Sequence, residues 1–145
     1  LILQVKIPEQ KDFPSMTPRR RIMVVDRDRD THPLLNYTLE NEGFDTIVVT
    51  GDDNTPALIH EMAPDLVILD STEGEADDFR ELRRIRSSTD VPVIVLTPSY
   101  NPEELKKAIS LGADDYVRKP FGARLLVARV RAKLRRCGDA VTLFG

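Results

Sequence analysis

A single cysteine, Cys137, in 145 residues removes two kinds of protein at once. It cannot close a disulfide within the chain, and with no CxxC spacing and no Cys/His cluster there is no zinc site around which a small fold could form. One unpaired thiol fits a reducing compartment, so the expected location is the cytoplasm. Long hydrophobic runs are also missing: no stretch approaches the roughly 18 apolar residues of a membrane helix, and 31% of the chain is charged. Nor is one sign of charge in excess. Lys and Arg number 21 against 24 Asp and Glu, a net charge of −3, which gives no whole-chain footprint for nucleic acid or a membrane surface. Leu1 to Ile7 are apolar but lack the basic lead and small-residue cleavage site of a secretory signal. They read as a tail that could add a strand to something else.

Apolar residues make up 41% of the sequence, enough for the core of one domain and too short a chain for two. Pro8, Pro14 and Pro18 break up the start, so residues 1–19 are read as a tail and the domain as residues 20–136. Short β-branched-rich runs follow at Ile22 to Val25, Thr46 to Val49, Leu66 to Leu69, Val91 to Leu96 and Tyr116 to Val117. Such runs are the pattern of parallel strands buried on both faces. Between and after them lie segments of helical period: Leu34, Leu35, Thr38, Leu39; Ala57, Leu58, His60, Met62; Phe79, Leu82, Ile85; Leu105, Ala108, Ile109, Leu111; and Leu125, Leu126, Ala128, Val130, Leu134. Five strands each followed by a helix predict an α/β fold, a (βα)5 doubly wound parallel sheet of five strands, since right-handed crossovers put helices on both faces. Gly43 and Gly112 stand where helix C-caps belong.

In open parallel sheets function collects beyond the carboxyl ends of the strands. That rule selects Asp26 after the first strand, Asp70 after the third, Thr97 after the fourth, and Lys119 just past the fifth. Two carboxylates, a hydroxyl and an amine thus converge on one rim from distant parts of the sequence.

The strings VVD (Val24 to Asp26), PDLVILD (Pro64 to Asp70), VPVIVLT (Val91 to Thr97) and LGADDYVRKPF (Leu111 to Phe121) occur in that order. Through them the chain resembles a response-regulator receiver domain of the OmpR/PhoB type, with the CheY-like (flavodoxin-like) fold, over about Arg21 to Arg136. Any one string is weak alone; four at proper spacing are specific. The resemblance implies a signalling module of two-component phosphorelays rather than an enzyme, promoting at most its own phosphorylation. Asp70 would take a phosphoryl group from a histidine kinase, as a carboxylate nucleophile with magnesium clamping the oxygens. Asp26, Asp70 and the Thr72 carbonyl would hold that ion. Lys119 would pair with the phosphoryl charge and Thr97 would hydrogen-bond it. Tyr116 would be the aromatic that turns inward as Thr97 moves, and the N–H groups of Ser71 and Thr72 would complete the cradle. LLVARVRAKLRR, Leu125 to Arg136, resembles the last receiver helix of regulators that continue into a winged-helix DNA-binding domain. Residues 137–145 would then begin a linker to such a domain, which is not in this chain.

The sequence departs from that family in its pocket. The usual acidic pair after the first strand is here Asp26 and Arg27. Asp26, Asp70, Arg27 and Lys119 sum to zero, where the usual three carboxylates and a lysine give −2 and draw in a divalent cation. Asp28 is a substitute ligand, or a cap of the first helix. Pro98 follows Thr97 where relatives have a small residue whose N–H donates to the phosphoryl group, and proline has no N–H. A lost charge-assisted donor costs about 1.5–3 kcal/mol. The expectation is an atypical receiver, with no cofactor or weakly bound Mg2+, whose Asp70 phosphorylation is weak or absent and whose Arg27 is placed to salt-bridge Asp70. The rival expectation is ordinary phosphoacceptance at Asp70.

OmpR/PhoB-type receivers form two-fold dimers through the fourth helix, fifth strand and fifth helix, with cross-subunit ion pairs. By position, Asp115 with Arg129 and Asp114 with Arg136 keep opposite charges, while the third pair falls on Leu105 and Leu125. A homodimer that depends less on phosphorylation is expected, unless those leucines pack inside the monomer. The eight basic residues between Arg118 and Arg136, with no acid among them, read as a solvated helix face. His32 and His60 are single and surface-placed, and Asp77 and Asp78 suit a helix N-terminus. Two other classes stand beside this one. A flavin mononucleotide binder would need a Ser/Thr/Gly-rich phosphate loop, where this chain has DRDRDTH. A stand-alone protein-interaction module would have no DNA-binding partner domain.

Overall fold

Alternation within the apolar runs gives the sheet two cores. On one face Ile22, Val24, Leu66, Ile68, Ile94 and Leu96 pack together; on the other lie Met23, Val25, Val67, Leu69, Val93 and Val95. Because side chains point alternately to opposite faces, a strand made wholly of apolar residues is stable only when helices cover both sides. The computed structural model shows that arrangement. It describes residues 19–26, 32–71, 75–98 and 101–138, without the side chains of residues 32, 75–78 and 136–138.

The elements run β1 (Arg21–Asp26), α1 (His32–Asn41), β2 (Asp45–Val49), α2 (Thr55–Met62), β3 (Leu66–Asp70), α3 (Glu75–Arg86), β4 (Val93–Thr97), α4 (Pro102–Ser110), β5 (Asp115–Arg118) and α5 (Ala123–Gly138). All neighbouring strands are parallel, in the order β2-β1-β3-β4-β5. Leu35 and Leu39 of α1 and Leu126, Val130 and Leu134 of α5 cover one face. Ile59 of α2, Phe79, Leu82 and Ile85 of α3, and Ala108 of α4 cover the other. The expected (βα)5 class and its five strands are therefore observed. The edge strands are the exceptions to double burial: the apolar side chains of β2 are only half-buried and β5 buries only Val117, as suits strands with one neighbour.

Local signals explain several boundaries. Gly43 and Gly112 take φ of +96° and +108°, in the region that favours glycine, just past α1 and α4. Asn101 caps α4 by accepting the Glu103 N–H at 2.9 Å, with Pro102 in the first turn. Asp65 ties the entry of β3 to β1, accepting the Arg21 N–H at 2.7 Å while its own N–H donates to the Arg21 carbonyl at 2.8 Å. Four helical faces differ from the expected ones: in α4 Leu105 and Ile109 are exposed and only Ala108 is buried, and in α5 Leu125 and Ala128 are exposed. α2 buries Thr55 and Ile59 while Ala57 is exposed, and α1 buries Leu35 while Leu34 is 72% exposed. Residues 1–18 of the tail with its expected strand, Arg27, Asp28 and Thr72, and the side chains of His32, Asp77, Asp78, Arg136 and Cys137 lie outside what is described.

Candidate functional site

Order β2-β1-β3 means that the chain winds one way from β1 to β2 and the other way from β1 to β3, so the crevice of the sheet opens between β1 and β3. Both strands end there in aspartate. Asp26 and Asp70 are register partners on the β1/β3 ladder, buried to 1% and 5% exposure. Parity along the strands puts both on the α1/α5 face, continuing the rows Ile22–Val24 and Leu66–Ile68. Neighbouring buried carboxylates repel each other and lose hydration, which is sustained only beside positive charge or strong donors.

Lys119 supplies that charge. Its Nζ pairs with the Asp70 carboxylate and donates to the Ser71 carbonyl at 2.8 Å. The backbone carries it there, since the Lys119 N–H donates to the Thr97 carbonyl at 2.8 Å. Ser71 is fixed in turn by donating its N–H to the Leu96 carbonyl at 2.8 Å, and Ser71 and Thr97 are both buried. Four of the expected rim residues, Asp26, Asp70, Thr97 and Lys119, thus occupy one end of the sheet on adjacent strands. Tyr116 is half-buried against the core on the α2–α4 side. Pro98 is exposed and lines a cavity that reaches Asp70 and Lys119.

The chemistry of this rim is that of a buried carboxylate held next to an ammonium. It can act as an oxygen nucleophile whose charge the ammonium balances. A hard divalent cation fits less well. Among the described residues no three Asp, Glu, His or Cys side chains gather as a metal site, and Asp26 and Asp70 alone fall short of a near-octahedral oxygen set.

On the α4–β5–α5 side, Leu105, Ile109 and Leu125 are 39%, 47% and 45% exposed. Arg129 pairs with Asp115 of its own chain at 2.6 Å. Asp114 is gripped within the chain by Arg86 at 2.7 Å. Sequence reasoning missed Arg86, because a charged residue in the last turn of a helix looks like ordinary surface. It also missed the exposure of Leu34 and the role of Phe121, which sits after the proline of the β5–α5 connection and packs on the core.

A five-stranded doubly wound sheet with an acid–lysine rim at its switch point defines a class of signalling domain. Residues 22–131 match the family model described as response regulator receiver domain, and the chain belongs to that family. It is similar to the DNA-binding response regulator MtrA of Mycobacterium tuberculosis, with 42% identity over 125 residues, 85% of this chain and 54% of that protein. The chain therefore spans about half the length of such relatives. Among solved structures it resembles a two-component response regulator from Clostridium difficile, at TM-score 0.75 and 27% identity over 83% of this chain and 99% of the other. It also resembles the BeF3-activated receiver domain of Klebsiella pneumoniae RstA, at TM-score 0.71 and 27% identity over 80% and 99%. Among the described residues no helix is long and apolar enough to cross a membrane.

Proposed function

We propose that this chain is the receiver domain, residues 20–136, of a transcription regulator, and that residues 137–145 lead toward a separate DNA-binding domain. In this reading it works in the cytoplasm as a dimerisation switch that answers weakly, or not at all, to magnesium-dependent phosphorylation by a histidine kinase. The supporting observation is the Lys119–Asp70 pair, taken with Arg27 in the sequence where the family carries an acid. A nucleophile already neutralised, beside a position that brings positive charge instead of a metal ligand, has little to attract a divalent cation. Where transfer does occur, an Asp70 oxygen attacks phosphorus and the P–N bond of a donor phosphohistidine breaks, its electron pair returning to the imidazole. Lys119 then faces the new phosphoryl charge, and Thr97 is the hydroxyl near it. Pro98 lowers the yield by withholding a backbone donor.

Ordinary phosphoacceptance at Asp70 is the alternative, and the buried, adjacent placement of Asp26 and Asp70 favours it. Incubation with acetyl phosphate, or with beryllofluoride and magnesium, separates the two. Intact mass unchanged after acetyl phosphate supports the weak-switch reading. A stoichiometric gain of one phosphoryl group, absent from Asp70→Asn, establishes the alternative.

A further inference from the structure

On the sheet face that carries Asp70, a cavity of about 650 Å³ opens between α1 and the β5–α5 connection. Its volume lies within the roughly 300–1,000 Å³ of small-molecule sites. Leu34, Leu35, Pro98, Pro120 and Phe121 form its walls, and Asp70 with Lys119 its floor. Three features limit what can fill it. The walls are largely apolar, with Thr38 the one hydroxyl among them, and Leu34 is 72% exposed, so a ligand that covers it removes apolar surface from water. The two charged groups of the lining are paired with each other, so an entering ion would lose its hydration without finding an unmatched counter-charge. Finally, the ammonium of Lys119 has three donors, of which Asp70 and the Ser71 carbonyl take two.

We propose that this cavity binds a small, neutral, largely apolar molecule carrying one acceptor oxygen, a carbonyl or ether, that receives the third N–H of Lys119. Such a ligand lies in front of Asp70, so its binding and the approach of a phosphoryl donor exclude each other. The site does not rest on phosphorylation: it stands or falls by binding, whether or not Asp70 is ever modified.

Titration of the chain with 6-propionyl-2-(dimethylamino)naphthalene, a neutral dye with one ketone oxygen, tests this. The expected result is blue-shifted emission that saturates at one dye per chain. Leu34→Glu, a change at an exposed position, weakens binding at least tenfold. Lys119→Met weakens it about tenfold, the worth of one hydrogen bond to a charged donor. Leu105→Glu, on the other apolar patch, leaves it unchanged. The proposal is overturned by a signal that does not saturate, by no blue shift at all, or by binding that Leu105→Glu abolishes and Leu34→Glu spares. If Lys119→Met binds the dye as tightly as the unsubstituted chain, the ammonium does not read the ligand oxygen and the proposal fails there as well.

Discussion

Arg86 near the end of α3 holds the Asp114 carboxylate at 2.7 Å, and the same carboxylate oxygen accepts the Val93 N–H at 2.8 Å, at the start of β4. The guanidinium also donates to the carbonyls of Gly112 at 2.9 Å, Val91 at 2.7 Å and Thr89 at 3.2 Å. One side chain thus fastens α3, the entry of β4 and the turn after α4. Arg86→Ala leaves the exposed Asp114 carboxylate and three part-buried carbonyls without this donor. The expected loss is about 1–3 kcal/mol, most of it from the part-buried carbonyls, read from urea unfolding with an unchanged m-value. A loss under about 0.5 kcal/mol would show that the contacts are ornamental. Asp114→Asn should cost less, since the amide oxygen can still accept both bonds.

The Lys119–Asp70 pair makes a second prediction. With Asp70 buried beside Asp26, Lys119→Met removes the ammonium that pairs with it, a change worth about 3 kcal/mol. Asp70→Asn relieves the repulsion between the two acids and should be close to neutral or stabilising. Adding Asp70→Asn to Lys119→Met should therefore recover at least about 1 kcal/mol of the loss. The double-mutant cycle by thermal or urea unfolding measures this directly. Strict additivity of the two changes would mean that the ammonium does not stabilise Asp70.

How far the sequence spoke depended on whether an interaction was local in pattern. β1, β3 and β4 were legible because strands covered on both faces leave a continuous apolar run, and Asp26, Asp70, Thr97 and Lys119 followed from strand ends alone. The helix faces were less legible. Leu34 and Leu35 look alike in sequence, yet only Leu35 faces the sheet, because a helix rotates about 100° per residue and the core covers only part of its circumference. In α2 the buried positions are Thr55 and Ile59, and the choice among neighbouring apolar residues is made by the sheet beneath. Arg86 was illegible for another reason: its partners Thr89, Val91, Gly112 and Asp114 are reached through space, most of them as backbone carbonyls that have no sequence signature.

Gly51 offers a test of packing at the β2 end of the sheet. A Cβ added there would lie 2.7 Å from Glu81 Oε1 and 3.0 Å from Val25 Cγ1. Glu81 is buried in α3 and held by Arg84 at 2.8 Å, which in turn reaches Asp53 at 3.1 Å, so it has little room to yield. Gly51→Ala should cost about 1–3 kcal/mol through overpacking. Gly122→Ala meets nothing within 4 Å, and should be neutral or stabilise by up to about 1 kcal/mol through the unfolded state. Equal effects at the two positions would contradict the packing described.

The exposed leucines make the last prediction. The proposed two-fold pairing through α4, β5 and α5 would bring Leu105, Ile109 and Leu125 of each copy to one interface, doubling every contact. Withdrawing such a side chain from water is worth up to about 1.5–3 kcal/mol, less here because each is already more than half covered. An exposed ion pair at the same place gives about 0–1 kcal/mol. Arg129, moreover, is already matched to Asp115 within its own chain. Dimerisation driven by the leucines therefore needs no phosphoryl group to arrange cross-subunit charges. Sedimentation of the unphosphorylated chain at tens of micromolar should show a dimer. Leu105→Glu should return it to monomer, while Arg129→Ala should shift the equilibrium by less than about 1 kcal/mol. A chain that sediments only as monomer under these conditions, and dimerises only after beryllofluoride is added, would place the switch back under phosphorylation.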